Sequence, residues 1–145
     1  MNQEAEQTLA VQLFNRVWEL MEKLDRTRDE DDEMLHAAHA SRYHWGIVGQ
    51  PVNRARGEWQ ISRVYTVLGR SEPGIAHAKR CLEICEEDGI ADWDLAYAYE
   101  ALARAYKTAG DVTELGKFKK VARDAGDRII DSEDREHFDE DYATL

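Results

Sequence analysis

The stretch Trp59-Gln-Ile-Ser-Arg-Val-Tyr65-Thr-Val-Leu-Gly69 decides the fold, because the chain repeats its pattern as Tyr99-Glu-Ala-Leu-Ala-Arg-Ala-Tyr106-Lys-Thr-Ala-Gly110. With Tyr106 placed on Tyr65 and Gly110 on Gly69, the small and apolar residues of the two stretches align at an offset of 41 residues. A glycine after a run of helical periodicity indicates the end of a helix. Each stretch therefore predicts a helix that ends in a tight turn.

Similar periodicity predicts helices along the whole chain, because apolar residues recur every three or four positions and Gly and Pro fall between these runs. The predicted helices cover about residues 4–27, 32–45, 51–68, 71–89, 92–109 and 111–126, with a weaker acidic one at 132–142. The acids of the charged run 28–33 suit both a solvated turn and the positive end of the second helix. Helices joined by such short turns lie antiparallel to their neighbours, so the sequence predicts an all-α stack of helix pairs.

The two units resemble the tetratricopeptide repeat family, since Ala78 and Leu82 follow the first stretch and Leu115 and Ala122 follow the second. The resemblance is clearest over residues 54–89 and 92–126, although the 41-residue offset exceeds the family's usual unit. It implies a single domain, 1–145, built as a short right-handed α-solenoid of about six to seven helices. The acidic segment 131–145 either caps this stack or frays.

Composition and charge narrow the range of functions. The N-terminal residues 1–10 carry no basic cluster, and no stretch is apolar enough to cross a bilayer, so we expect a cytoplasmic protein without membrane contact. The net charge of −11 argues against general nucleic-acid binding. The charge is uneven, however, since residues 34–80 hold seven basic and two acidic side chains.

The resemblance implies that a ligand lies along a concave groove formed by the first helix of each pair. The side chains that the alignment turns toward this groove are Arg56, Trp59, Arg63, Tyr97, Glu100, Arg104 and Lys107. Arginine offers a forked donor to carboxylates, and aromatic rings provide large contact areas. We therefore expect a protein-interaction module, an adaptor or regulatory subunit that binds an acidic or carboxylate-bearing peptide without a cofactor.

Two other functions are open at this point. His36, His39 and Tyr43 lie on one face of the predicted second helix, and with Glu58 they could form a transition-metal or enzymatic site. No nucleophile or phosphate-binding loop accompanies them, so an enzyme is the less favoured class. Residues 60–79 also resemble a helix-turn-helix, which would make the chain a DNA-binding regulator.

The acidic C-terminal residues 131–141 add a further possibility. Their carboxylates are complementary to the basic groove, so this tail could occupy the groove of its own chain or of another copy. The first arrangement predicts a self-inhibited module and the second predicts a homodimer.

Overall fold

A computed structural model describes all 145 residues, and 83% of them are helical with no strand. The seven helices are α1 (Gln3–Glu22), α2 (Arg28–Val48), α3 (Pro51–Val67), α4 (Ser71–Asp88), α5 (Asp92–Ala109), α6 (Val112–Gly126) and α7 (Ser132–Tyr142). The all-α prediction is confirmed. None of the helices combines the length and the apolar character needed to cross a membrane.

Consecutive helices pack against each other as antiparallel pairs, α1 with α2, α3 with α4, and α5 with α6. The odd-numbered helices also form a continuous layer, because α1 contacts α3, α3 contacts α5, and α5 contacts α7. The even-numbered helices make no such contacts with one another. A stack that is close on one side and splayed on the other curves toward the close side, so the odd-numbered helices line the concave face of a solenoid-like arrangement.

The two helix pairs that share the sequence pattern end their first helices in the same way. Gly69 and Gly110 adopt left-handed φ angles of 75° and 74°, where glycine is favoured because it has no Cβ. The amide of Arg70 donates to the carbonyl of Tyr65 at 2.8 Å, and the amide of Asp111 donates to that of Tyr106 at 3.0 Å. These bonds satisfy helix-terminal carbonyls and turn the chain back sharply.

The packing between the helices of each pair also repeats. Tyr65 stacks on His77 with ring centroids 5.7 Å apart, and Tyr106 stacks on Phe118 at 5.6 Å. Both contacts obey the 41-residue offset of the sequence alignment. The structural repeat is therefore real at the level of turns and side chains, and it is compatible with a helical-repeat architecture.

The junction between α1 and α2 differs from the prediction. Helix α1 ends at Glu22, before its predicted end near residue 27, and α2 begins at Arg28, so the charged run forms the start of the helix, which is one of its two predicted placements. The hydroxyl of Thr27 accepts a hydrogen bond from the amide of Glu30, whose carboxylate accepts one from the amide of Thr27. This reciprocal cap, together with carboxylates near the positive end of the helix dipole, stabilises helix over turn.

The C-terminal segment folds back as helix α7 and contacts both α5 and α6. Its Phe138 is completely buried and packs beside Gly126 at the end of α6. The ring of Phe138 also meets Tyr97 of α5 edge-on, with centroids 5.2 Å apart. The Phe138 side chain thus packs α7 against α5, and α7 extends the layer of odd-numbered helices.

Candidate functional site

The centre of the concave layer contains a cavity of about 400 Å³. Its aromatic lining, which we call the aromatic pocket, consists of Phe14 and Trp18 of α1, Trp59 of α3, and Trp93 and Tyr97 of α5. Tyr97 is buried, and the other four are partly buried. A concave, mostly apolar cavity with a few polar groups is the usual form of a ligand-binding site.

The rings of the aromatic pocket are inclined to one another and form walls. Trp18 and Trp59 lie 5.6 Å apart between centroids at 33°, whereas Tyr97 meets Trp59 at 5.8 Å and Trp93 at 6.4 Å, both nearly perpendicular. The pocket therefore has aromatic walls, and the indole N–H of Trp59 is buried within the structure without a hydrogen-bond partner.

Arg56 and Asp94 are the polar pair beside these rings. The guanidinium donates two hydrogen bonds to the carboxylate, from Nε at 2.9 Å and from Nη2 at 3.0 Å. The same guanidinium lies 4.4 Å from the centroid of the Trp93 ring. An Arg on an aromatic face is held by the attraction between its charge and the ring quadrupole.

Next to the aromatic pocket lies a second region, the charged end, formed by Arg63, Glu100, Arg104 and Lys107. Arg104 donates to Glu100 from Nε at 2.7 Å, and Arg63 approaches the same carboxylate at 3.6 Å. Glu100 is fully buried, and one of its oxygens has no hydrogen-bond partner. Burial raises the pKa of Glu100, while the charges of Arg104 and Arg63 oppose this rise.

The end of the chain covers the charged end. The carboxylate of Asp141 accepts a hydrogen bond from the Tyr97 hydroxyl at 2.7 Å and lies 3.6 Å from Arg63. Arg104 donates to the Asp141 carbonyl at 2.9 Å and to the Thr144 hydroxyl at 2.7 Å, and Lys107 donates to the Thr144 carbonyl at 2.7 Å. Burial and the bond to Asp141 raise the pKa of Tyr97.

All seven residues predicted for the groove lie on α3 and α5, in the concave layer. Arg56, Trp59 and Tyr97 line the cavity, whereas the other four form the charged end. The structure adds residues from α1 and α7 that sequence reasoning missed. Trp93 could have been found, because it lies one helical turn before Tyr97 and so shares its face.

The histidines of α2 take separate positions. His39 shares a 2.9 Å hydrogen bond with the Tyr65 hydroxyl, whereas Tyr43 is 67% exposed. Glu58 accepts from Arg42 at 2.7 Å and bonds His77 at 2.8 Å. Burial, followed by the charge of His77, lowers the pKa of His39. No three His, Cys, Asp or Glu side chains are arranged to hold a metal ion.

The helix-turn-helix-like segment 60–79 spans the end of α3 and the first half of α4. Its two helices pack closely, since the Ser62 hydroxyl donates to the Gly74 carbonyl at 2.7 Å. Two of the neighbouring basic side chains are engaged within the chain, with Arg70 over the Tyr65 ring and Arg80 paired with Glu83, whereas Lys79 is exposed without an ion pair.

Comparison with protein-family models, with curated proteins and with solved structures found no match for this chain.

Proposed function

We propose that this chain is a protein-interaction module, a divergent tetratricopeptide-like repeat whose concave groove binds an acidic or carboxylate-bearing segment of a partner protein. The module acts as an adaptor or regulatory subunit. The proposal rests on the side chains of the charged end, which converge on one stretch of backbone and one carboxylate.

The observation that carries the proposal is the contact between the charged end and residues 141–144 of the same chain. Arg63 and Tyr97 engage a carboxylate, while Arg104 and Lys107 engage backbone carbonyls. This is the pattern of donors that an acidic peptide requires, because charge-assisted bonds to carboxylate are stronger than neutral ones. The chain's own C-terminal segment thus serves as an example of the proposed ligand.

It follows that a partner peptide competes with the C-terminal segment. Residues 143 and 144 are exposed, and the contacts of Thr144 with Arg104 and Lys107 lie at the surface. Exposed hydrogen bonds and ion pairs contribute little to stability, so this part of the segment can be displaced at low cost. The buried Phe138 holds the rest of α7 in place.

A peptide with the sequence of residues 139–145, amidated at its C-terminus, tests this function. We expect it to bind the Gly126→Ala variant, in which α7 is loosened, more tightly than it binds the unaltered protein. Binding is measured by fluorescence polarisation of the labelled peptide. A matched peptide with Asp141→Asn lacks the carboxylate and is expected to bind at least about fivefold more weakly.

The charge-reversal variant Lys107→Glu, placed in the Gly126→Ala background, is expected to weaken binding because it removes the donor to the peptide backbone. Lys120→Glu in the same background is the control, since Lys120 is exposed and forms no ion pair or side-chain hydrogen bond. If both peptides bind equally, or if Lys107→Glu and Lys120→Glu have equal effects, the charged end is not the binding surface.

A further inference from the structure

The aromatic pocket carries an inference that does not depend on the charged end. The cavity of about 400 Å³ is within the size range of small-molecule sites, and its aromatic rings come from three different helices. Helix α7 adds three polar side chains to its lining, namely Asp134, His137 and Asp141. The pocket is thus completed by four helices of the concave layer rather than by one surface alone.

The charges around this cavity do not balance. Arg56 is neutralised by two hydrogen bonds to Asp94, and Asp141 is engaged by Tyr97 and Arg63. The carboxylate of Asp134 forms no ion pair and accepts no side-chain hydrogen bond, although it lines the same cavity. One carboxylate next to the rings therefore lacks a positive partner.

The aromatic faces are suited to supply the rest of a cation site. Positive charge binds over the faces of Trp, Tyr and Phe, most strongly over Trp, and the pocket contains three Trp side chains. Two rings are already used in this way, because the Arg56 guanidinium lies 4.4 Å from the centroid of Trp93 and the Arg63 guanidinium lies 5.8 Å from that of Trp59. The remaining rings of α1, Trp18 and Phe14, carry no such cation and are only partly buried.

The chemistry of the lining favours one kind of cation. A primary ammonium carries three N–H donors and needs acceptors for them. Three carboxylates line the cavity, but those of Asp94 and Asp141 are already engaged, so that of Asp134 is the one left to accept. An alkylated ammonium has no such requirement and is bound by aromatic rings with a nearby carboxylate. We propose that the aromatic pocket binds a quaternary or highly alkylated ammonium group, with Trp18 as an aromatic wall and Asp134 as its counter-ion.

Binding of choline chloride to the full chain tests this site. Trp fluorescence is a suitable signal, since three of the four Trp side chains line the pocket, and calorimetry provides a second measurement. The neutral analogue 3,3-dimethylbutan-1-ol has nearly the same shape as choline. We expect choline to bind at least about tenfold more tightly than this analogue, which is the ratio that a cation–aromatic contact of ordinary strength gives.

Two variants, Asp134→Asn and Trp18→Leu, test whether these side chains contact the bound cation. Asp134→Asn keeps the shape of the side chain and removes its charge, so we expect choline affinity to fall about threefold to tenfold and to depend less on salt. Glu140→Gln, an exposed position on the same helix that does not line the cavity, is the matched control and is expected to change little. Trp18→Leu removes one wall and is expected to lower the affinity about tenfold.

Three results would overturn the site: equal affinity for choline and the neutral analogue, stronger binding of acetate than of choline, or no binding of choline at about 10 mM. If Trp18→Leu fails to fold by circular dichroism, the Asp134→Asn and analogue comparisons still decide. The test uses neither the acidic peptide nor the Gly126→Ala variant, so its failure is distinguishable from failure of the proposed peptide function.

Discussion

The aromatic pocket and the charged end lie side by side on the same concave layer, yet they differ in how far the chain itself covers them and neutralises their charges. At the charged end every cation faces a carboxylate or carbonyl of the chain, and residues 141–144 cover it. In the aromatic pocket four rings are only partly buried and the Asp134 carboxylate forms no ion pair. Helix α7 lines both regions, but residues 141–144 fill only the charged end, so the aromatic pocket keeps an open cavity.

The largest effect should come from Glu100→Ala at the charged end. This substitution removes a fully buried carboxylate and leaves Arg63 and Arg104 facing each other with fewer partners. Because an uncompensated buried charge is costly, we expect the free energy of unfolding to fall by about 3 kcal/mol in urea denaturation.

The matched variant in the other region is Asp134→Asn. Its carboxylate lies in the open pocket without an ion pair, so we expect the free energy of unfolding to change by less than about 0.5 kcal/mol. If the two variants destabilise the protein equally, the division between a stabilising region and an open region is wrong.

A smaller effect is expected from Gly126→Ala, which tests how α7 is held. A methyl group at this position would overlap the ring of Phe138, so α7 must shift or the ring must move. Overpacking of this kind typically costs about 1–3 kcal/mol, measured by urea denaturation. We also expect faster amide hydrogen exchange in α7 than in α3.

Gly116→Ala is the control for this prediction. A Cβ at Gly116 meets no atom within 4 Å, and alanine favours helix over glycine by about 1 kcal/mol. This variant should be at least as stable as the unaltered protein. Loss of stability there, or its retention in Gly126→Ala, would contradict the role assigned to the Phe138 contact.

The smallest expected effect is the contribution of the buried carboxylate of Glu58 to the pH dependence of stability, which we compare with that of Glu100. Burial alone would raise the pKa of Glu58. The hydrogen bonds and charges of His77 and Arg42 have a larger, opposite effect, so the pKa of Glu58 lies below its usual value. A carboxylate with a depressed folded pKa adds stability above its unfolded pKa of about 4.5, and this stability is lost as the pH falls through the folded value.

Glu58→Gln should therefore flatten the acid side of the stability profile. Between about pH 5 and pH 3 we expect the unaltered protein to lose more unfolding free energy than the variant. Glu100 does not share this behaviour, because its pKa is raised and its protonation relieves a buried charge. Parallel profiles for the two proteins would show that Glu58 does not contribute to the acid sensitivity.

Much of the fold could be predicted because its signals are local. The stops at Gly69 and Gly110 and the start at Pro51 depend on backbone geometry that one residue type fixes by itself. The start of α2 was placed about four residues late, because the charged run suits both a turn and the first turn of a helix. The cap that overrides this pattern needs Thr27 and Glu30 to bond reciprocally.

The candidate site was only half predictable. The alignment placed Arg56, Trp59 and Tyr97 on one face, because residues that repeat at helical spacing share a direction. It could not supply Trp18 of α1 or Asp134 of α7, since neither belongs to the repeated units. Their approach depends on how the first and last helices dock, which no local pattern specifies.

The sequence by itself determined the helical class, the repeat of 41 residues and the side of α3 and α5 that faces the concave layer. The tertiary structure decided which charges neutralise one another and which surface stays open. Arg63 and Arg104 read as free basic groups along the chain, and only the fold brings Glu100 and Asp141 to them. The physical reason is that periodicity fixes directions within one helix, whereas ion pairs and cavities depend on distances between helices.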